Sequence, residues 1–467
     1  MPRGSGYNHC VVFGIAGYGV KRELPPTAGL APRWRDLFDH PDRPVGSSGS
    51  VMSRPRHAAQ QFFKRLTLST SKSARADSAD GQHDNHDHVL SRHLAQSIGT
   101  DDVVMVNSGF AALVIAFEYL KKGALGREVI LPAFTSPKVA MAAHRAGLSV
   151  RLCDTGQSRF DFDLGMLARL VGGQTLAIVP THFGGHITPI APLKVLLQGI
   201  APHVVLVEDA AQAFGARVRG QPVGLAGDLG LFSFARGTGL TLFQGGCLVS
   251  DNPIILKGLK NLAARMQPPS WRHEWRQCLG LLAYHAFYDA EHYRLVYGAA
   301  SHRKGTSLPR YALYGEDDWS ALPLHRLGAW RQQVGFNALQ RLDMHRQAVA
   351  GRVARLLSVL QSVPRSEVHV PPAGVSPSFG FLFVSMASRK QADRVLAQSI
   401  GEGLGVSRLF AGPLTAYPAL KGIIPPDPMP QAEALAARTL TVTTSPLMTD
   451  SEIEKIGRLF RNAGKDF

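Results

Sequence analysis

The chain has few of the features that mark secreted or membrane-spanning proteins. Its 467 residues include only four cysteines, scattered without a CxxC pair, so we expect reduced thiols, no disulfide framework and a cytoplasmic location. An apolar stretch near the N-terminus, Cys10 to Val20, is interrupted by three glycines. It is far shorter than the roughly 20 residues that a membrane helix needs, and the sequence therefore predicts no transmembrane segment.

Features of nucleic-acid-binding and metal-binding proteins are also lacking. The formal net charge of +16 at pH 7 favours anionic partners in general. The basic residues are spread out without an interleaved aromatic stripe, however, so we expect no nucleic-acid partner. Residues 43–90 are rich in Ser, Arg, Asp and Gly and include His83, His86 and His88. This composition predicts a low-complexity, disordered insert rather than a metal site.

Strand-like and helical segments alternate regularly between residues 91 and 265. Short apolar runs such as Val129 to Leu131 and Val204 to Val207 are separated by helical stretches such as Ala111 to Lys121. This alternation predicts an α/β fold with a mostly parallel sheet that is covered by helices on both faces. Ligands of such sheets bind at the carboxyl ends of the strands.

The remaining segments suggest a multi-part organisation. Residues 1–42 form an N-terminal lead-in, 91–265 the large domain, 266–326 an irregular insert, and 327–467 a linking helix with a small α+β C-terminal domain. Within the insert, Leu279 to Phe287 is apolar and aromatic. We expect a packed helix there, and contact with a membrane surface stays open.

The segment Val204 to Ser250 carries the most informative pattern. Asp209 follows a buried strand, and a carboxylate in that place can keep the ring nitrogen of a pyridine cofactor protonated. Gln212 follows three residues later and can hydrogen-bond an oxygen of the same ring. Taken alone, a strand-end aspartate is more often a helix cap, a metal ligand or a ribose ligand.

The combination of motifs is more specific. EDAAQAFGA, followed by GDLGLFSF and a Gly-Gly strand, resembles the DegT/StrS family of pyridoxal-phosphate (PLP) dependent nucleotide-sugar aminotransferases. Four other segments stand in the order that the family has along the chain: VNSGFAAL, GREVILPAFTS, AIVPTHFGGH and GPLTAYPAL. The segment ELPPTAGLAPRWRDL resembles a subgroup associated with exopolysaccharide loci. The resemblance implies a fold-type I transferase with a seven-stranded type of sheet and a nucleotide-sugar ligand in polysaccharide biosynthesis.

Site residues follow from the resemblance position by position. It makes Asp209 the partner of the ring nitrogen, Gln212 a contact of the ring oxygen and Ser233 a contact of the cofactor phosphate. Asn261 matches a position that reaches the phosphate of a neighbouring subunit, which implies a homodimer with shared sites. Backbone amides at the start of a helix complete the phosphate site. The residues of that turn are Ser108, Gly109, Phe110 and Ala111.

The pattern breaks at the catalytic lysine. The family places it five residues after the serine of FSF, and that position is Thr238. A Schiff base needs a primary amine, which threonine lacks, and the nearby Arg236 stays protonated and is a poor base. Ser136 replaces the aromatic residue that stacks on the ring, and Phe110 replaces a usual threonine. PLP or pyridoxamine phosphate (PMP) would therefore bind noncovalently, if at all.

Four interpretations remain open from the sequence. The chain could transaminate by an unexpected route, or use a noncovalent cofactor as the lysine-less sugar 3-dehydratases of the family do. The latter needs a base from elsewhere, for which His182 and His186 are the candidates. Alternatively, the chain is a pseudoenzyme that binds a nucleotide sugar or a partner protein, or an altered copy of an active enzyme.

Overall fold

The computed structural model describes residues 22–38, 87–268, 271–293 and 324–465. The strands are β1 (Val104–Val106), β2 (Glu128–Pro132), β3 (Ser149–Cys153), β4 (Thr175–Ile178), β5 (Val205–Asp209), β6 (Arg217–Val218), β7 (Gln221–Pro222), β8 (Leu229–Ser233), β9 (Gly246–Val249), β10 (Ser366–Val368), β11 (Val375–Ser376), β12 (Phe381–Met386), β13 (Val406–Ser407) and β14 (Thr439–Thr443). The helices are α1 (Trp34–Phe38), α2 (Asp87–Ile98), α3 (Gly109–Leu120), α4 (Pro137–Arg145), α5 (Leu164–Leu170), α6 (Ile190–Ile200), α7 (Pro253–Ala264), α8 (Trp271–Phe287), α9 (Ala329–Leu339), α10 (Leu342–Leu360), α11 (Arg389–Glu402), α12 (Pro430–Arg438) and α13 (Asp450–Lys465).

The large domain is built on a seven-stranded sheet with the order β1-β9-β8-β5-β4-β2-β3. The pairs from β3 through β2, β4 and β5 to β8 are parallel, whereas β9 is antiparallel to both β8 and β1. The predicted α/β fold with a mostly parallel sheet is confirmed. Because β2, β4, β5 and β8 run in the same direction, their carboxyl ends meet at one edge.

Both faces of this sheet are covered, which explains the continuous apolar runs. On β2, Val129 and Leu131 pack into the core formed with α3 and α4, while Ile130 between them packs into the core formed with α5 and α6. Successive side chains of a strand point to opposite faces. A strand that is buried on both sides is therefore apolar at most of its positions.

The small domain is a four-stranded antiparallel sheet, β10-β12-β14-β13, packed on helices. On β12, Leu382 and Val384 face a core that includes Ile456 of α13. The alternate residues Phe381 and Phe383 belong to the core of the large domain. One strand thus contributes to both cores and joins the domains.

The N-terminal lead-in crosses both domains beside the predicted lysine position. Ala28 N donates to Gly380 O of the small domain, and Leu30 N donates to Gly239 O in the loop after β8, both at 2.8 Å. Gly237 of that loop has a φ of 77°, and a Cβ there would collide with the lead-in. Glycine therefore lets the lead-in pack directly on the loop.

Two predicted segments differ from the structure. The predicted irregular insert 266–326 contains a regular helix of 17 residues, α8, which includes the packed helix expected over Leu279 to Phe287. The linking helix predicted at the start of 327–467 is two helices, α9 and α10. The break lies at Gln340 and Arg341, and the Arg341 guanidinium pairs with Asp36 of the lead-in.

The predicted disordered insert lies almost wholly outside the described residues. Only its last residues, from Asp87, are described, and they begin α2. His83 and His86 of the rejected metal site are outside the described ranges as well. Among the described residues, no group of three or more His, Cys, Asp or Glu side chains is arranged to hold a metal ion. Nor is any described helix long and apolar enough to span a bilayer.

Candidate active site

A buried carboxylate marks the centre of the sheet edge. Asp209 is the last residue of β5, and its Oδ1 accepts a hydrogen bond from Ala211 N at 3.1 Å. Burial raises the pKa of Asp209 to about 6, against smaller lowering contributions from Ala211 N and from His182. Asp209 forms no ion pair within the described part of the chain. A buried carboxyl group without a cationic partner is costly, and it suits a ligand that brings a positive charge.

Gln212 offers an unfilled acceptor close by in the sequence. Its Oε1 is buried and has no hydrogen-bond partner among the described residues, whereas buried polar atoms are usually paired. The backbone oxygen of Gln212 accepts a hydrogen bond from Ser378 Oγ of the small domain at 3.0 Å. A cavity of about 20 Å³ lies between Gln212, Ser378 and the lead-in, with room for about one water molecule.

The predicted phosphate turn forms a tight cradle at the start of α3. Ser108 caps the helix, and its Oγ accepts from Ala111 N at 3.1 Å. A Cβ on Gly109 would lie 3.0 Å from the Cβ and 3.1 Å from the Oγ of Ser233, and one on Gly246 would collide with the Ser108–Gly109 peptide. The glycines thus bring the Ser233 hydroxyl against the amides of the helix N-terminus, where anions bind.

Phe110 does not face this cradle. It is buried in the core between α3 and α4, and the guanidinium of Arg145 on α4 lies 5.8 Å from its ring centroid. The side chain therefore fills the helix contact, and the hydroxyl that a threonine would offer is lost. The backbone amide of Phe110 still belongs to the first turn of α3.

Ser136, predicted to replace a stacking aromatic residue, has a structural role at the start of α4. Ser136 is the N-cap of α4, and its Oγ accepts from Lys138 N at 3.3 Å. Phe134 is buried, with its ring centroid 5.2 Å from that of Phe410 and 5.8 Å from that of Phe183. Its side chain belongs to the aromatic core.

Thr238, at the position that the sequence predicts for the family's lysine, forms a hydrogen bond within its own loop. Its Oγ1 lies 2.7 Å from both Ser233 O and Ala235 O. The single hydroxyl proton is donated to one of these carbonyls, so the group is engaged in holding the loop. It supplies no amine and, without a base as a partner, no nucleophile.

His182 is held as part of a buried pair. Thr188 N donates to its Nδ1 at 3.1 Å, so the ring proton is on Nε2 and donates to Glu208 Oε2 at 2.9 Å. Burial alone would raise the pKa of Glu208, but hydrogen bonds from His182 and from the amides of Gly227 and Gly224 outweigh it, and that pKa is lowered. Both ring nitrogens of His182 are engaged in hydrogen bonds within the protein.

The other predicted residues lie apart from the strand-end cluster. His186 Nε2 is 2.8 Å from Asp161 Oδ1, in a loop beside the aromatic core. Asn261 is exposed on α7. The larger cavity, about 270 Å³, has Arg159, Phe162 and other residues in its lining but none of the candidate site residues.

Sequence reasoning missed Glu208 and Ser378. Glu208 lies directly before Asp209 in a buried strand, and a charged residue there signals a buried polar partner. Ser378 contacts Gln212 across 166 positions of sequence. No local pattern could have revealed this contact.

Comparison with known proteins finds a family domain in the chain. The sequence profile of the DegT/DnrJ/EryC1/StrS aminotransferase family matches residues 74–282. The chain carries a domain of this family. It is 26% identical to the dTDP-3-amino-3,4,6-trideoxy-alpha-D-glucose transaminase of Streptomyces venezuelae, over 74% of this chain and 79% of that protein. It is 28% identical to the GDP-perosamine synthase of Caulobacter vibrioides, over 40% and 49%.

Solved structures show the same fold. The aminotransferase TlmJ from Streptoalloteichus hindustanus superposes with a TM-score of 0.63 at 21% identity, over 85% of this chain and 95% of that one. The sugar aminotransferase CalS13 from Micromonospora echinospora gives 0.62 at 20%, over 85% and 96%. The family domain thus has the fold-type I architecture predicted from the sequence.

Some of the described residues at the strand ends are suited to bind a pyridine phosphate, and others are not. The unpartnered Gln212 Oε1, the unpaired Asp209 carboxyl and the glycine cradle beside Ser233 are suited to its ring and phosphate. The loop at Thr238 is unsuited to a covalent link, because its side chain has no amine. A PLP-type cofactor is typical of the family, and the remaining question is how this chain would hold it.

Proposed function

We propose that this chain binds PMP or PLP noncovalently, together with a nucleotide-linked sugar, and does not perform lysine-based transamination. The observation that carries the proposal is the buried Asp209 carboxyl, which has no ion pair within the described ranges and a pKa raised by burial to about 6. A protonated pyridine nitrogen would supply the missing charge, and the ring hydroxyl would supply a donor for Gln212 Oε1.

The described residues would bind and orient such a ligand. Asp209 would hold a proton on the ring nitrogen, and Gln212 would fix the ring through its oxygen. Ser233 and the first amides of α3 would hold the phosphate. PMP, when bound, supplies a primary amine and a ring that accepts electrons from a substrate carbon.

Support for a nucleotide-sugar ligand comes from the relatives and from charge. The names of the Streptomyces and Caulobacter relatives refer to dTDP-linked and GDP-linked sugars, and the net charge of +16 favours a diphosphate. We place the protein in cytoplasmic polysaccharide biosynthesis on the N-terminal resemblance and on the free, buried cysteines Cys153, Cys247 and Cys278. We also propose a homodimer, in which Asn261 reaches the phosphate site of the partner subunit.

The first test is the affinity for PMP of the full chain, measured by isothermal titration calorimetry. Asp209→Ala should weaken binding at least tenfold, which corresponds to about 1.4 kcal/mol, because the ring nitrogen loses its counter-charge. Asp251→Ala removes an exposed carboxyl group and serves as the matched control. Equal affinity of the wild type and Asp209→Ala would contradict the proposal.

The second test concerns the missing lysine. Borohydride treatment with PLP should leave no pyridoxyl-lysine at the site of the wild type, by peptide mass spectrometry, whereas Thr238→Lys should give one at residue 238. Thr238→Val loses the same loop hydrogen bond without adding an amine and controls for the change in the loop. A wild-type protein labelled on a lysine in this pocket would refute the noncovalent assignment.

The third test concerns the proposed dimer and its mass in solution. Light scattering should give twice the chain mass, and Asn261→Ala should weaken PMP binding without changing that mass. An Asp251→Ala control should leave both quantities unchanged. A monomer that binds PMP normally would refute the shared site.

A binding role without turnover is the second candidate. It is favoured by the ring nitrogens of His182 and by the hydroxyl of Thr238, since both groups are engaged in hydrogen bonds within the protein. Incubation of the PMP-loaded chain with a nucleotide-linked keto sugar separates the two. Conversion of PMP to PLP in a single turnover would favour an enzyme, and unchanged PMP with a bound sugar would favour a pseudoenzyme.

A further inference from the structure

Helix α8 is fixed on the large domain through its inner face. Cys278, Leu281 and Tyr284 are buried. Glu274 forms two hydrogen bonds with the fully buried Arg331 of α9, one of them from Nε at 2.9 Å. These contacts determine which side chains of α8 point away from the protein.

The outer face of α8 combines large apolar and cationic side chains. The exposed fractions are 57% for Trp271, 54% for Leu279 and 37% for Phe287. Arg272 and Arg276 are exposed on the same side of the helix, and the Arg272 guanidinium lies 5.4 Å from the Trp271 ring centroid. We call these five residues the outer face of α8.

Among the described residues of α8, this face carries positive charge without a compensating acid. Glu274 is the only acidic residue of α8, and it is turned inward to Arg331. Asp289 and Glu291 follow the end of the helix, so the charge is most positive toward the N-terminal half. The apolar side chains extend over 16 positions from Trp271 to Phe287, about 24 Å of helix at 1.5 Å per residue.

The arrangement fits a flat, anionic, partly apolar partner. Aromatic and aliphatic side chains that are exposed on one helix face can contact the acyl boundary of a bilayer. Anionic headgroups attract the arginines, and the spread of apolar residues along the helix suits the acyl boundary better than a single pocket. We propose that the outer face of α8 docks the protein on a membrane surface that contains anionic phospholipid.

Flotation of the full-length protein with vesicles tests the proposal. We expect binding to vesicles of phosphatidylcholine mixed with phosphatidylglycerol, and little binding to phosphatidylcholine alone. Arg272→Glu/Arg276→Glu and, separately, Leu279→Ser/Phe287→Ser should each lower the bound fraction at least tenfold. Rising salt should weaken wild-type binding, because screening acts on the exposed arginines.

Matched controls change exposed residues elsewhere. Arg389→Glu, on α11, removes a cation whose side chain is 76% exposed, and Leu125→Ser removes an apolar side chain that is 92% exposed. Both controls should float like the wild type. Equal loss of binding in the controls, or unchanged binding of both outer-face variants, would overturn the proposal.

The main competing occupant is a second copy of this chain. Light scattering on the outer-face variants distinguishes it, since loss of dimer mass in these variants would assign the face to the partner subunit and overturn membrane docking. PMP affinity of the same variants should equal that of the wild type. Failure of vesicle binding with intact PMP affinity would thus leave the proposed function untouched.

Discussion

Replacing Asp209 by asparagine should stabilise the cofactor-free protein at neutral pH. Burial raises the pKa of this carboxyl group from 3.8 to about 6, so the folded state binds a proton more tightly than the unfolded chain does. Stability from this group is therefore present at low pH and is lost as the pH rises from about 4 to about 6. Asparagine keeps an oxygen for Ala211 N but carries no charge.

The size of the effect follows from the shift in pKa. A rise from 3.8 to about 6 corresponds to a cost on the order of 3 kcal/mol once both states are ionised, at about 1.36 kcal/mol per unit. Asp209→Asn should therefore gain on the order of 3 kcal/mol at pH 7.5 and roughly half of that at pH 5. The same change should weaken PMP binding, so stability and affinity move in opposite directions.

Thermal unfolding at the two pH values measures this effect. The melting temperature of Asp209→Asn should exceed that of the wild type at pH 7.5, with a smaller difference at pH 5. Asp251→Asn, at an exposed position, should show almost no difference at either pH. An Asp209→Asn protein that is less stable than the wild type at pH 7.5, or a difference independent of pH, would refute the reasoning.

Two further predictions concern other parts of the structure. Gly109→Ala should weaken PMP binding at least tenfold, because the new Cβ would press on Ser233. The effect on pyridoxamine, which lacks the phosphate, should be smaller. Equal losses of affinity for both ligands would contradict a phosphate cradle. Arg331→Met should destabilise the fold by about 3–5 kcal/mol because it leaves Glu274 without its partner. The double change Arg331→Met/Glu274→Leu should recover much of this loss in thermal unfolding, and no recovery would argue against the pair.

The core strands were predictable because their signal is local. β2 is apolar at consecutive positions since both of its faces are covered, as Val129 and Ile130 show by packing into different cores. Asp209 and Ser233 could be placed for the same reason, because they end β5 and β8. A residue at the end of a parallel strand has a known position relative to the other strand ends.

Features set by distant contacts could not be predicted. The sequence of α8 has no clear apolar period, and its inner face depends on Arg331, 57 positions from Glu274. The break between α9 and α10 coincides with the pairing of Arg341 with Asp36 across 305 positions. The direction of the Phe110 ring likewise depends on the α3–α4 contact with Arg145.

The three departures from the family pattern differ in what now depends on them. Thr238 hydrogen-bonds its own loop, Ser136 caps α4, and Phe110 fills a helix contact. Each substituted side chain has a structural role of its own, whereas Asp209 keeps a costly buried charge without a described ionic partner. A lysine at position 238 alone would restore an amine but no stacking ring. We therefore expect Thr238→Lys to link PLP covalently and to fall short of full transamination unless Ser136 is also made aromatic.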